Sequence, residues 1–307
     1  MIGTASVISW PGVLKTKLIQ SFGLACYSLD ILLEQIPFVD GVNTSASKHF
    51  EAIQQKKNSI AWVCFSPSEA EQKKKVNILF LENGLLDRGK SYYLDDNGYG
   101  QYSNIVALRE NVRKFPQSYV DEVYVKLANN GWKQPEKVSK DKVIMAALQA
   151  RKHEDTILLK NCEKYLPKNA KVIIRGHPRD RQKMQEFYAP FCERNPSWEI
   201  DFIDDPFESL ARCGALVLNS SSMMYKALYM GIPVAAFTRS FHSGSAAVLD
   251  CSRNPNMLTH IFDFRHNQDY SERLICAINY HSISANATVD EVLANTNFGN
   301  WLRRFRY

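Results

Sequence analysis

The sequence predicts an α/β protein of two lobes, each organised around a parallel sheet. Short apolar runs, many of them bounded by Gly, Pro, Asn or Asp, alternate with longer amphipathic runs. Between residues 143 and 237 strand and helix signals follow one another in strict alternation, the pattern of a doubly wound unit with crossover helices. The length of 307 residues suits two domains of roughly 150 residues each.

In order along the chain, strands are expected at 5–10, 60–65, 76–81, 143–148, 172–175, 199–203, 215–218 and 233–237. Helices are expected at 45–57, 105–114, 118–130, 154–165, 181–194, 222–230 and 270–280. A tyrosine- and glycine-rich loop is expected at 91–102, and a lysine-rich linker carrying Pro135 at 131–142. The expected organisation is an N-terminal lobe at 1–136, a C-terminal lobe at 137–285, and a terminal helix at 286–307 packed back on the body. Both lobes read as Rossmann-like, with parallel sheets facing a central cleft. In open α/β sheets ligands sit beyond the carboxyl ends of the strands.

Composition excludes several classes. Net charge is +6, which favours anionic ligands without demanding nucleic acid. No zinc-finger spacing, RNP-like aromatic motif or helix-turn-helix is present, so no nucleic-acid partner is expected. Seven cysteines include no CxxC pair, which reads as buried, reduced thiols in a cytoplasmic protein. No apolar stretch approaches the ~20 residues that span a bilayer. The end, Trp301-Leu302-Arg303-Arg304-Phe305-Arg306-Tyr307, suits a packed helix. It also suits a peripheral contact with the inner face of a membrane.

Four segments could carry chemistry. In Ile174-Arg175-Gly176-His177-Pro178 a buried strand ends in a guanidinium fork, a glycine that admits close approach, an imidazole and a turn-fixing proline. That set suits a phosphate monoanion; a histidine in an ordinary strand-to-helix turn is the plainer reading. Ser220, Ser221 and Ser222 follow the strand at 215–218 and open a helix. They can cap it, or present hydroxyl and amide groups to an anion. In Glu82-Asn83-Gly84 a carboxylate ends an apolar strand. It can cap a turn, or, partly desolvated, exchange a proton with an acceptor hydroxyl. Asp155 opens the helix after the strand at 143–148. It can cap that helix, or act as nucleophile on an anomeric carbon.

No GxGxxG, Walker A, HExxH or Asp-x-Asp motif of a metal-dependent sugar transferase is present. Asp95-Asp96-Asn97-Gly98 lacks the distal glutamate of a calcium loop and reads as a turn. No metal and no cofactor are expected.

In this order the four segments resemble the bacterial capsule and O-antigen β-Kdo transferases, which use CMP-Kdo and have a GT-B fold. The shared elements are Glu82-Asn83-Gly84 with the aspartates at 95 and 96, the Gln149-to-Asp155 loop, His177-Pro178, and Ser220–Ser222 leading to Ala227-Leu228-Tyr229-Met230-Gly231-Ile232-Pro233-Val234. The resemblance spans about residues 60 to 245. CMP-sialic acid transferases share the acidic-Gly and His-Pro elements. The resemblance implies Glu82 as acid/base, Asp155 as nucleophile of a retaining transfer, and His177, Ser220, Ser221 and Ser222 around the CMP phosphate; Arg175 and Pro178, read from the strand end itself, complete the expected phosphate site.

It implies a nucleotide-sugar donor, a glycan or lipid-linked acceptor, and work at the inner face of the bacterial inner membrane in capsule, O-antigen or lipopolysaccharide synthesis. Two departures stand out. Lys226 occupies a position where the family often has glutamate, and the Gln149–Asp155 loop is long. An inverting CMP-sialic acid transferase and a non-catalytic nucleotide- or glycan-binding module are the alternatives.

Overall fold

In the computed structural model the apolar run β5 (Val143–Ala147) is the centre of a six-stranded sheet. The structure describes residues 77–87, 90–97, 103–111, 115–135, 142–178, 184–264 and 266–304, with residues 21, 24, 25, 38–40 and 58–62. The strand expected at 5–10 and the helix expected at 45–57 lie outside the described residues.

The chain divides into two compact units. The second, residues 113–276, holds the six-stranded sheet. On one side of β5 lie β6 (Lys171–Arg175) and β7 (Trp198–Ile200); on the other lie β8 (Ala215–Leu218), β9 (Val234–Ala236) and β10 (Leu249–Asp250). Every pairing is parallel. Both faces are covered by helices, so β8 is buried along its whole length. That is why it reads as an unbroken apolar run rather than an alternation. The α3 helix (Lys152–Tyr165) packs Leu158, Leu159 and Cys162 against Ile144, Val172 and Val217 of the sheet. Other crossovers run through α4 (Met184–Arg194), α5 (Pro206–Ala211) and α6 (Met223–Tyr229).

The first unit comprises residues 1–112 and 277–307. Two expectations are therefore corrected: residues 113–136, including α2 (Gln117–Asn129), cluster with the second unit, and the stretch 277–285 with the first. Its sheet has the order β1 (Phe38–Asp40), β2 (Asn58–Trp62), β3 (Asn77–Asn83), β4 (Ser91–Asp95), β11 (Ser282–Ser284). The first three strands are parallel, but β4 runs antiparallel to β3, and β11 antiparallel to β4. This sheet is mixed, not parallel as expected.

The expected loop at 91–102 begins instead as a buried strand. Tyr92 and Leu94 join Leu79, Leu81 and Ile283 in the core. The Tyr93 hydroxyl is bonded to the Asp95 carboxylate and to Ser103, which satisfies a phenol that burial would otherwise strand. Asp95 ties together the residues described on either side of 98–102. Its carboxylate accepts from the Asn97 and Asn104 amides at 2.7 Å each and from the Ser103 hydroxyl at 2.8 Å. α1 (Asn104–Asn111) starts there.

The expected terminal helix is two helices, α8 (Val289–Ala294) and α9 (Thr296–Arg303). A reciprocal capping box between Thr288 and Glu291 starts α8. Asn295 caps α9. Trp301 is fully buried beside Phe298, so this ring belongs to the core of the unit; residues 305–307 lie outside the described residues.

α9 is pinned by a buried polar chain. The Asn297 amide donates to the Leu94 carbonyl and to Nδ1 of His281, each at 2.6 Å. Arg304 donates to the Asp96 carboxylate and carbonyl. Because Asn297 donates to Nδ1, the imidazole proton sits on Nε2, which is buried without a hydrogen-bond partner among the described residues. Burial, partly opposed by the Asp96 charge, pushes the His281 imidazole down to about 4. Asp96, raised by its own burial against the pull of Arg304, does not reverse that order.

A folded-state pKa of about 4 lies below the ordinary 6.5, so protons bind the unfolded chain first as pH falls. The contribution of His281 to stability is complete above pH 6.5 and is lost on acidification towards pH 4, by roughly 3 kcal/mol. Denaturant unfolding of wild type and His281→Gln across that window should show a slope in the former that is flattened in the latter. Equal slopes would remove His281 as the cause.

Candidate functional site

Starting from β5 the chain lays down β6 and β7 on one side, then returns to lay down β8, β9 and β10 on the other. The strand order therefore reverses between β5 and β8. Connections leaving adjacent strands in opposite directions open a crevice at the carboxyl ends there. Its rims are the loop at 148–151 after β5 and the loop at 219–222 after β8, with 176–178 alongside after β6.

The loop after β5 is strained and braced. Ala150 has φ +66°, the only positive φ at a non-glycine among the described residues. That conformation costs an L-residue roughly 1–2 kcal/mol. The residues on either side of Ala150 are held by one side chain. Asp155, in the first turns of α3, is fully buried. Its Oδ1 accepts from the Gln149 amide at 2.9 Å and its Oδ2 from the Arg151 amide at 3.1 Å. The Tyr188 hydroxyl is 3.5 Å from Oδ2. The carboxylate thus reaches back from the helix to the strained turn, and it has no solvent-facing surface. A nucleophilic role requires the 149–151 loop to open.

On the facing rim the Asn219 side chain donates to the Glu154 carbonyl at 3.2 Å, tying the loop after β8 to the start of α3. Ser220 and Ser221 are half-buried and Ser222 is exposed. The Met223 amide donates to the Ser221 hydroxyl at 3.3 Å, and the Ser222 side chain makes no capping bond. Only one of the three hydroxyls is used by the helix start, as plain capping would require. His177 is half-buried and Pro178 exposed at the end of β6. His242, in the segment after β9, is fully buried.

Arg175 departs from expectation. Its guanidinium turns away from the strand end into the unit. It donates to the Asp201 carboxylate at 2.5 Å, to the Ile203 and Asp204 carbonyls at 2.8 and 3.1 Å, and to the Ser209 hydroxyl. Asp201 is itself buried and also receives Ser209 and Arg212. These bonds position the β7–α5 connection, and the charge behind them is paired with Asp201. Asp201 is the residue sequence reasoning missed; the signal was an acid immediately after the strand Trp198–Ile200, in Ile200-Asp201-Phe202-Ile203.

In the first unit Glu82 lies near the end of β3, half-buried, opposite Tyr93 of β4. Its Oε1 accepts from the Asn83 amide at 2.7 Å. Gly84 then donates to the Ser91 carbonyl at 2.9 Å. A Cβ at this position would sit 2.7 Å from that same oxygen, closer than packing allows. The glycine of Glu82-Asn83-Gly84 is therefore required by the close of the β3–β4 hairpin. Asp95 and Asp96, the aspartates of the loop that follows, serve the buried network described above.

No protein-family model matches the sequence, and no curated protein matches it. Among solved structures the chain is similar to Thermosulfurimonas dismutans KpsC, a beta Kdo 2,7 transferase, with a TM-score of 0.50 and 20% identity over 81% of this chain and 90% of that one. It is also similar to the beta Kdo 2,4 transferase of the same KpsC, with a TM-score of 0.47 and 14% identity over 72% and 79%. A third is the UDP-GlcNAc 2-epimerase of Methanocaldococcus jannaschii, with a TM-score of 0.34 and 14% identity over 78% and 82%. At 20% identity the likeness to the 2,7 transferase establishes the fold alone: an α/β architecture of the GT-B type.

Proposed function

We propose that the protein is a glycosyltransferase that moves Kdo from CMP-Kdo to a saccharide acceptor, lipid-linked or free, in capsule, O-antigen or lipopolysaccharide synthesis. The observation that carries this reading is the crevice between β5 and β8. A braced, strained turn at 149–151 faces a serine run of which the helix uses one hydroxyl. Backbone and hydroxyl groups at such a switch point suit a single phosphate. One phosphate carries less charge than a diphosphate and needs no metal to neutralise it. The similarity to a Kdo transferase supports the donor class through its fold.

In this reading His177 and Ser220–Ser222 meet the CMP phosphate, and Glu82 exchanges the proton of the acceptor hydroxyl. Retention by double displacement adds a demand on Asp155, which must be released from the Gln149 and Arg151 amides before it can attack. That engagement favours a second reading, an inverting CMP-sugar transfer in which no enzyme nucleophile is needed. The anomeric configuration of the product separates the two. A β-linked product from β-configured CMP-Kdo requires the nucleophile; an α-linked product dispenses with it.

The test of the reading as a whole is thermal unfolding in CMP, CDP, UDP, GDP and ADP. Selective stabilisation by CMP is expected, and equal or absent shifts with all five would sink the donor assignment. His177→Ala should weaken CMP binding by ~1–3 kcal/mol at unchanged stability. Glu82→Gln should leave CMP affinity intact while transfer is lost. Normal turnover in that variant would remove Glu82 from the chemistry.

A further inference from the structure

Arg175 has its charge paired with buried Asp201, and its Nη atoms donate inside the unit. A different cation stands one turn beyond the serine run. Lys226 lies in α6, and its ammonium sits 4.8 Å from the ring centre of Trp132 and 5.9 Å from that of Phe207. Both rings are buried, and their centres lie 5.8 Å apart. The Tyr229 ring closes on Trp132 edge-on at 5.3 Å.

Aromatic faces attract the ammonium, but they do not neutralise it. Among the described residues no carboxylate pairs with Lys226. Asp205, two residues before Phe207, is held by Lys133 and accepts from the Phe207 amide at 2.8 Å. Burial accordingly pushes the Lys226 amine below the usual lysine range, with no charge working against it. A half-buried cation lacking a counter-charge is costly unless something supplies one. The fixed aromatic backing also keeps the side chain from swinging into solvent. At the same position a glutamate would face any phosphate with like charge.

We propose that Lys226, backed by Trp132 and Phe207, binds an oxyanion, phosphate or carboxylate, of a ligand seated over the serine run at 220–222. The proposal deepens the donor reading above. It takes from that reading where the ligand sits, while the charge and the aromatic backing are features of Lys226 itself. A CMP-linked sugar acid carries both chemistries, the phosphodiester and the sugar carboxylate.

The test is competitive acetylation of the intact protein with limiting reagent, with modified lysines quantified by peptide mass spectrometry. Lys226 is read against exposed Lys160, with no addition, with inorganic phosphate, with CMP, and with free Kdo. The expected result is about tenfold protection of Lys226 with Lys160 unchanged. Protection by phosphate and CMP alone identifies the phosphate as the partner; protection by free Kdo alone identifies the sugar carboxylate.

Lys226→Met, which keeps an apolar chain on the two rings, should fold as wild type and lose about tenfold in affinity for the protecting ligand. If CMP stabilises the wild type thermally yet no addition protects Lys226, the proposal fails and the donor reading stands. If phosphate or Kdo protects Lys226 while no nucleotide stabilises the protein, the proposal stands and the donor reading fails. No protection and no stabilisation overturns both.

Discussion

Arg175→Met is expected to destabilise the second unit by about 3–5 kcal/mol and to leave the nucleotide affinity of the folded protein nearly unchanged. The cost arises at Asp201, whose side chain has no exposure to solvent. Without the guanidinium its main charge partner is Arg212, at 3.3 Å and shared with Glu199. A buried carboxylate left so poorly compensated is among the largest single-residue penalties. The Ile203 and Asp204 carbonyls lose their donors as well.

Denaturant unfolding should show a lower midpoint at an unchanged slope, since the surface exposed on unfolding is the same. Removing both charges in an Arg175→Met/Asp201→Asn variant should recover part of the loss. The coupling between the two substitutions then measures the pair. An Arg175→Met protein of wild-type stability that no longer bound CMP would return this arginine to the ligand. His177→Ala, two residues on, is the counterpart, with affinity lost and stability kept.

That contrast shows what the sequence could and could not carry. The central strands of the second unit, β5, β6, β8 and β9, were legible because they are largely buried, while the two-residue β10 gave no signal. A continuous apolar run such as Ala215–Leu218 has few other places to go. The position of Arg175 and His177 at a strand end was legible for the same reason. The direction of the guanidinium was not. Its partner lies 26 residues away, and a strand-end arginine reads alike whether it faces a ligand or a buried acid.

In the first unit the stretch at 91–95 was misread because tyrosines and aspartates imitate a polar loop. Their hydroxyls and carboxylates satisfy one another in the fold, and that long-range accounting decides the strand. Ser282–Ser284 is too short to announce itself by alternation, and its place in the first sheet rests on pairing with β4. Ala150 gave no signal at all. Nothing about an alanine tells that its φ will be positive, whereas a glycine there would have pointed to the turn.

Asp155→Ala is expected to cost about 3–6 kcal/mol, the sum of two charge-assisted hydrogen bonds at about 1.5–3 kcal/mol each. The Gln149 and Arg151 amides lose their acceptor, and the turn they hold is strained at Ala150. Asp155→Asn should fall nearly as far, because one of its two terminal atoms would present an N–H to an amide N–H. The strain and its brace can be separated. Ala150→Gly removes the left-handed penalty of roughly 1–2 kcal/mol against an unfolded-chain entropy loss of about 0.4–1 kcal/mol. It should therefore hold or raise stability where an ordinary Ala→Gly change lowers it.

If the loop forms one rim of the donor crevice, losing its brace also weakens CMP binding. A nucleophile that played no structural part would behave otherwise: Asp155→Ala would fold and bind CMP as the wild type does, and only turnover would disappear. Unfolding and CMP titration of the same variant therefore decide whether this carboxylate shapes the crevice or attacks across it. A variant that loses stability, CMP affinity and transfer together assigns Asp155 to the loop.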